Sequence, residues 1–299
     1  MKWVVKAATK KALSWVPAGR AIDHLIQTKV TKTLPVSDET FLSSVRFAAM
    51  HIDQIRKNGS VPIERAKFFE FGIGWDLVGP LAFYVMGVRD QTLCDIHHNL
   101  RVSLINHSLA TFYRLEDRIT KITGAEAIRL PRCISGESEI ARLGMRYVVG
   151  DMTRVLPVSA QFDYITSISV LEHVPAADLP QIVNKCYSLL KPAGVVSFVI
   201  DMRDHYVDFD QSISDHNFLR YSDRAWNLFF NSTLHHQNRL RFTDYLQVIK
   251  EARFEIVNYS LWEAPLNGTE IHPSFREKYD DTTLAVTTLS VTARRITGV

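Results

Sequence analysis

Three groups of residues in this chain have types and spacings that could do chemistry together. The stretch Phe68-Phe69-Glu70-Phe71-Gly72-Ile73-Gly74 is an apolar run that ends in a glycine turn. A turn without side chains lets the backbone approach a nucleotide-like cofactor at the carboxyl edge of a parallel sheet. Asp95 lies 21 residues beyond Gly74, at the end of a second apolar run, Gln91-Thr92-Leu93-Cys94-Asp95. An acid about 20 residues past the glycines can accept hydrogen bonds from ribose hydroxyls. The third group, Asp201-Met202-Arg203-Asp204-His205-Tyr206, ends a later apolar run and should face a substrate cleft. An imidazole titrates near neutral pH, so His205 is the first choice for a general base and His173 the second. Asp204 could serve as a base, an orienter or a metal ligand. Each group has a plainer reading. The glycines could form only a tight turn, Asp95 and Asp151 could cap helices, Asp204 could cap a turn, and the histidines could be packed or on the surface.

These residues need a scaffold. Helical spacing begins at Ser37-Asp38, a good N-cap pair, places Phe41, Val45, Ala48, Ile52 and Ile55 on one face, and stops at Asn58-Gly59. The pattern predicts strands over 66–72, 91–96, 145–149, 162–169 and 195–201. It predicts helices near 76–87, 99–113, 135–143, 178–190 and 243–252. Strands over 254–262 and 284–294 would pair as an antiparallel hairpin at one sheet edge. The expected organisation is a helical cap over 1–60, then one α/β domain over 61–299 with an inserted lid at 202–242.

The 299 residues can bury a real core. Charged residues make up 22% and hydrophobic ones 46%, which is ordinary for a globular enzyme. With 35 basic against 32 acidic residues there is no phosphate track, so a nucleic-acid partner is not expected. No apolar run reaches the length of roughly 18 residues that a membrane span requires. Cys94, Cys133 and Cys186 lack metal-site or disulfide spacing and fit a reducing cytosol. Residues 1–16 carry Lys2, Lys6, Lys10 and Lys11 beside Trp3, Val4, Val5, Trp15 and Val16. Such a basic amphipathic helix either packs on the domain or lies on an anionic membrane. The expected location is the cytoplasm, with peripheral contact at the inner face of the membrane under the second alternative.

Beyond these readings, the chain over roughly 64–294 resembles the class I S-adenosylmethionine-dependent methyltransferases. Glu70-Phe71-Gly72-Ile73-Gly74 is similar to that family's first motif, Asp95 to its ribose acid and Gly150-Asp151 to its adenine-side acid. Val170-Leu171-Glu172-His173-Val174-Pro175 is similar to the segment after its fourth strand, and Leu189-Leu190-Lys191-Pro192-Ala193-Gly194 to the turn before its fifth. The resemblance implies a Rossmann-like, mainly parallel seven-stranded sheet with helices on both faces and an antiparallel last strand. It implies S-adenosylmethionine as cofactor. Glu70, Gly72 and Gly74 would lie by its methionine and ribose, Asp95 on the ribose hydroxyls, Asp151 and Met152 at the adenine, and Glu172 and His173 near the sulfonium. The chain departs from the family where Asp76 replaces a third glycine. A dinucleotide fingerprint is disfavoured, because Trp75-Asp76-Leu77 occupies the place of its pyrophosphate-approach glycine.

The insertion is rich in residues suited to a polar ring substrate. Tyr206, His216, Asn217 and Tyr221 could stack on it and bond its hydroxyls, while Arg220, Arg239 or Arg241 could clamp a phosphate or carboxylate. A solvated lid packed by Phe218, Trp226, Phe229 and Phe230 is the plainer reading. His235-His236 has no zinc-ligand spacing, and no metal set is read from the sequence. A second resemblance, over 204–241, is to methyltransferases found with bacterial surface-glycan biosynthesis. It implies O-methylation of a saccharide, a surface glycan or a sugar precursor. Methyl transfer to a lipid, quinone or small secondary metabolite is the alternative, and a non-catalytic cofactor-binding scaffold is a further one. Oligomeric state is not readable.

Overall fold

In the computed structural model the described residues are 2–17, 34–157 and 161–296, together with Gly19, Ile22, Thr28 and Ser159. Helix α1 spans Trp3–Leu13 and α2 spans Asp38–Asn58. The Ser37 hydroxyl accepts from the Thr40 amide and closes the start of α2. Asp38 and Glu39 in its first turn and Arg56 and Lys57 in its last complement the helix dipole. Its expected apolar face is fully buried.

The strands are β1 (Lys67–Phe71), β2 (Asp90–Asp95), β3 (Met145–Val149), β4 (Phe162–Ile168), β5 (Leu190–Asp201), β6 (Phe254–Glu263) and β7 (Val286–Arg295). They form one seven-stranded sheet in the order β3-β2-β1-β4-β5-β7-β6. Strands β1 to β5 run parallel, and β7 is antiparallel to both β5 and β6. The hairpin pair thus lies at one end of the sheet, with β7 on its inner side.

Helices cover both faces. On one face α2 shares a core with α3 (Val78–Val85), α4 (Val102–Arg114) and α5 (Glu116–Thr123). On the other, Met152, Val183, Leu189 and Ile249 join Phe69, Ile165 and Val196. These come from α6 (Met152–Val155), α7 (Leu179–Leu189) and α9 (Phe242–Glu251), while α8 (Asp223–Phe229) lies in the insertion.

The segment expected as a cap therefore divides. Helix α2 is part of the sheet's own core, whereas α1 packs on the insertion. There Trp3 and Ala7 join Tyr206, Phe218, Leu219 and Trp226 in a small third core. The Trp3 amide donates to Asp210, and the Lys6 ammonium lies 3.0 Å from the centre of the Phe209 ring. The lysine-bearing face of α1 is thus turned towards the protein, and its outward side presents Val4, Val5 and, beyond the helix, Trp15. Of the two alternatives for this helix, the structure has the one in which it packs on the domain. No helix among the described residues is long and apolar enough to cross a membrane.

Three local readings also differ. The 137–143 segment is a 3-10 helix, ended by Gly144. Helix α5 was not anticipated; it stops at Gly124, where φ is +70°. The expected turn at Lys191-Pro192-Ala193-Gly194 interrupts a longer β5, whose register on β4 shifts between Phe162 and Tyr164.

Candidate active site

The parallel strands end at one edge of the sheet, and the order reverses between β1 and β4, where open α/β sheets bind ligands. Gly72 follows β1 with φ +73°, and its amide donates to the Cys94 carbonyl. A Cβ at Gly72 would stand 2.2 Å from a methyl of Val170, so the close approach of the two loops requires glycine. Gly74, also at positive φ, has open space beside it. Asp95 ends β2. One of its carboxylate oxygens accepts from the His97 amide at 3.2 Å and from the Asn99 side chain at 3.0 Å. Burial raises its pKa, and these bonds oppose that shift.

A cavity of about 1040 Å³ opens over this edge. Sites for single small ligands run to roughly 1,000 Å³, so there is room for a cofactor and part of an acceptor. Gly72 and Asp95 form one side, and His173, His205, His235 and His236 the other. Helix α1 contributes Lys10 and Lys11 to the rim. The Lys11 ammonium is fixed by the carbonyls of Asn227 and Asn231 at the end of α8, at 3.0 and 2.7 Å.

The histidine side is built by the turns after β4 and β5. Val170 leads into a short turn, Leu171–His173, locked by Asn238. The Asn238 amide donates to the Glu172 carbonyl, and its side chain donates to the carbonyls of Leu171 and Val174. His173 Nδ1 lies 2.6 Å from the His236 carbonyl, and its ring is 4.9 Å from that of His205. His205 Nε2 is 3.6 Å from the Asp201 carboxylate, which Arg203 holds with two bonds. Burial lowers the His205 pKa to about 4 and also lowers that of His173. Glu172 is 1% exposed, neither of its carboxylate oxygens has a hydrogen-bond partner, and burial pushes its pKa well up.

Asp151 and Met152 follow β3 at the same carboxyl edge of the sheet, where the Gly150 amide donates to the Asp95 carbonyl. Asp151 caps α6 by accepting from the amide and hydroxyl of Thr153, and the hydroxyl bond lowers its pKa. Glu70 lies beneath the glycine turn, buried inside β1.

In the insertion, most of the expected substrate residues form its own core. Asp204 is fully buried, accepting from the Tyr206 amide and the Asn217 side chain, and burial raises its pKa to about 6. It shapes the turn and does not face the cleft. Tyr206 is buried with its hydroxyl on the Phe230 carbonyl, and His216 is buried as well. Arg239 donates to the carbonyls of Phe218 and Tyr221 and pairs with Asp223. Arg241 is fully buried and donates to the carbonyls of Met202, Leu284 and Val286. Those guanidinium groups are spent on backbone oxygens, which corrects the expectation of an anion clamp. Tyr221 packs on Trp3 and Phe230, and the exposed Arg220 is away from the cavity wall. Ile96, His97, Asn99, His235 and His236 line the cavity and were not anticipated as site residues. Their nearness to Asp95 was the available signal for the first three.

Residues 115–198 match the family model of a methyltransferase domain, the segment running from α5 into β5. No curated protein matches the chain. Among solved structures it is similar to a SAM-dependent methyltransferase of Methanosarcina mazei, at 13% identity and TM-score 0.45, over 82% of this chain and 97% of that one. It is similar to a putative methyltransferase of Bacillus halodurans, at 13% identity and TM-score 0.47, over 83% and 100%. It is also similar to phosphoethanolamine N-methyltransferase 2 of Haemonchus contortus, at 12% identity and TM-score 0.47, over 92% and 60%. The sheet order, the glycine turn with an acid at the end of the next strand, and the methyltransferase-domain match over 115–198 together give a Rossmann-like methyltransferase fold.

Proposed function

We propose that the protein transfers the methyl group of S-adenosylmethionine to a hydroxyl of a saccharide, a surface glycan or sugar precursor, with His205 taking the proton. The observation that carries this is the pair of imidazoles, His173 and His205, in the same cavity as Gly72 and Asp95. In this reading Gly72 and Gly74 pass under the methionine and ribose, Asp95 takes the ribose hydroxyls, and Asp151 and Met152 flank the adenine. Glu172 and His173 then stand near the sulfonium.

Transfer is an in-line displacement. The methyl carbon–sulfur bond breaks as the carbon–oxygen bond forms, the sulfonium leaves as a neutral thioether, and the hydroxyl proton passes to imidazole. A free alcohol is a poor nucleophile at neutral pH, so a base within reach matters for a hydroxyl acceptor. Asn227, Asn231, Ser232 and Thr233 stand with the histidines on the cavity wall. That supports a hydroxyl-rich acceptor. Trp15, Phe209 and Leu234 at the same wall support the second reading, a lipid, quinone or small secondary metabolite. The apolar outward residues Val4, Val5, Trp15 and Val16 suit a cytoplasmic enzyme in peripheral contact with a membrane that carries its acceptor.

Two measurements test the reading. Calorimetric titration should show S-adenosylmethionine binding that Asp95→Ala weakens at least tenfold, since each charge-assisted bond contributes on the order of 1.5–3 kcal/mol. NAD(H) should not bind. Turnover on a panel of oligosaccharides, sugar nucleotides, quinones and lipids should be found on a saccharide, and His205→Ala should lower kcat by roughly 10²–10⁴ with cofactor affinity kept. Turnover confined to apolar acceptors, or a fully active His205→Ala, would sink the proposal.

A further inference from the structure

The geometry points to a divalent transition-metal site formed by Glu172, His173 and His205. Among the described residues these three place one donor atom each within 4.8 Å of one another. Donors on opposite sides of a shell of roughly 2.0–2.2 Å stand about 4.2 Å apart, so small side-chain rotations bring all three onto one ion. The residues are far apart in the chain, and the turns after β4 and β5 bring them together at the cavity wall.

The strongest pointer is Glu172. Its carboxylate is buried, aimed among the histidines, and both oxygens lack a hydrogen-bond partner. Buried carboxylates without partners are costly, and a coordinated cation is one of the few ways to satisfy one. His205 Nε2 and His235 Nε2 are likewise buried without a hydrogen-bond partner. The surroundings suit ligands that must be held in place. His173 is oriented through Nδ1 by the His236 carbonyl, an outer contact typical of metal-bound imidazole. Asp201 lies 3.6 Å from His205 Nε2 and offsets the positive charge of Arg203, which would otherwise oppose a cation.

Two imidazoles and one carboxylate favour a first-row transition ion over magnesium or calcium, which prefer all-oxygen shells. The site lies on the cavity wall, so an acceptor hydroxyl can reach the ion's open position. This rests on the hydroxyl-transfer reading only for its role, and it replaces His205 as the group that promotes loss of the proton. With the ion in place His205 is a ligand, and the ion itself favours loss of the hydroxyl proton, which then passes to solvent.

The test is binding of the metal alone. Protein stripped with a chelator and dialysed is titrated with Zn²⁺ by calorimetry and with Co²⁺ by visible absorption. One ion per chain is expected, with cobalt bands of an imidazole–carboxylate site. His173→Ala and Glu172→Gln should each weaken Zn²⁺ at least tenfold. His107→Ala, which removes an exposed imidazole on α4 outside the site, should leave it unchanged. His173 stands at the exposed rim, so its variant carries the test even where the buried Glu172→Gln fails to fold. Absence of binding, or affinity that His173→Ala leaves within twofold, overturns the assignment. Turnover of the stripped enzyme on the acceptor panel is measured separately, so loss of the metal site would leave the hydroxyl-transfer reading to be judged by its own assay.

Discussion

Glu70 should contribute to the ligand-free protein a stability that falls as pH rises. It lies within β1, 5% exposed, and one carboxylate oxygen has no hydrogen-bond partner. The other faces Gly79, whose missing side chain leaves it room: a Cβ there would come within 3.2 Å. Burial raises the Glu70 pKa from 4.5 to about 8. The folded protein therefore keeps this proton over a range in which the unfolded chain has lost it. The Glu70 contribution to stability is greatest below pH 4.5, declines through the window from there to about 8, and the full penalty is present above it. At 1.36 kcal/mol per pKa unit, these two values give a loss of roughly 3 kcal/mol between pH 5 and pH 8. Glu70→Gln keeps the shape and has no charge to bury. Urea unfolding of both proteins at pH 5, 6, 7 and 8 should give curves that diverge by about that amount, with the wild type the steeper. Parallel curves would refute the argument. They would mean that the carboxylate is ionised in the fold, stabilised by the amides at the start of α3.

Gly72→Ala should destabilise the protein by about 1–3 kcal/mol in thermal or urea unfolding, because the new methyl group meets Val170 at a left-handed backbone position. It should also weaken S-adenosylmethionine, since the displaced loop lines the cavity. Arg241→Leu should cost about 3–5 kcal/mol, as three buried carbonyls lose their donor. If Arg241 were an acceptor clamp instead, Arg241→Leu would raise KM with little change in stability, so steady-state kinetics beside urea unfolding separates the two.

Much of the glycine-turn side of the cavity was legible in the sequence because its signals are local. A glycine turn directly after a strand, an acid at the next strand's end, and Ser37 before an amphipathic run each depend on neighbours within a few residues. The backbone rules that govern them do not wait for the fold. The second glycine spacing, the turn at Lys191-Pro192-Ala193-Gly194 and the histidine after β5 belong to the same class. The insertion was misread for the converse reason. Arg239, Arg241, His216 and Asn217 have the residue types of a polar binding site, and pattern alone does not distinguish a guanidinium facing a ligand from one facing backbone carbonyls.

By itself, then, the chain determined the order of the strands and of most helices, and the glycine turn with an acid at the end of the next strand. Only the tertiary structure decided which side chains meet there. It set Glu172 and His173 against His205 and His235, turned the lysines of α1 inwards, and gave Arg241 the carbonyls of Leu284 and Val286. The physical reason is that hydrophobic periodicity reports which face is buried, whereas the partner of a buried polar group is fixed by chain segments distant in sequence. A buried charge is tolerated only where such a segment supplies its partner.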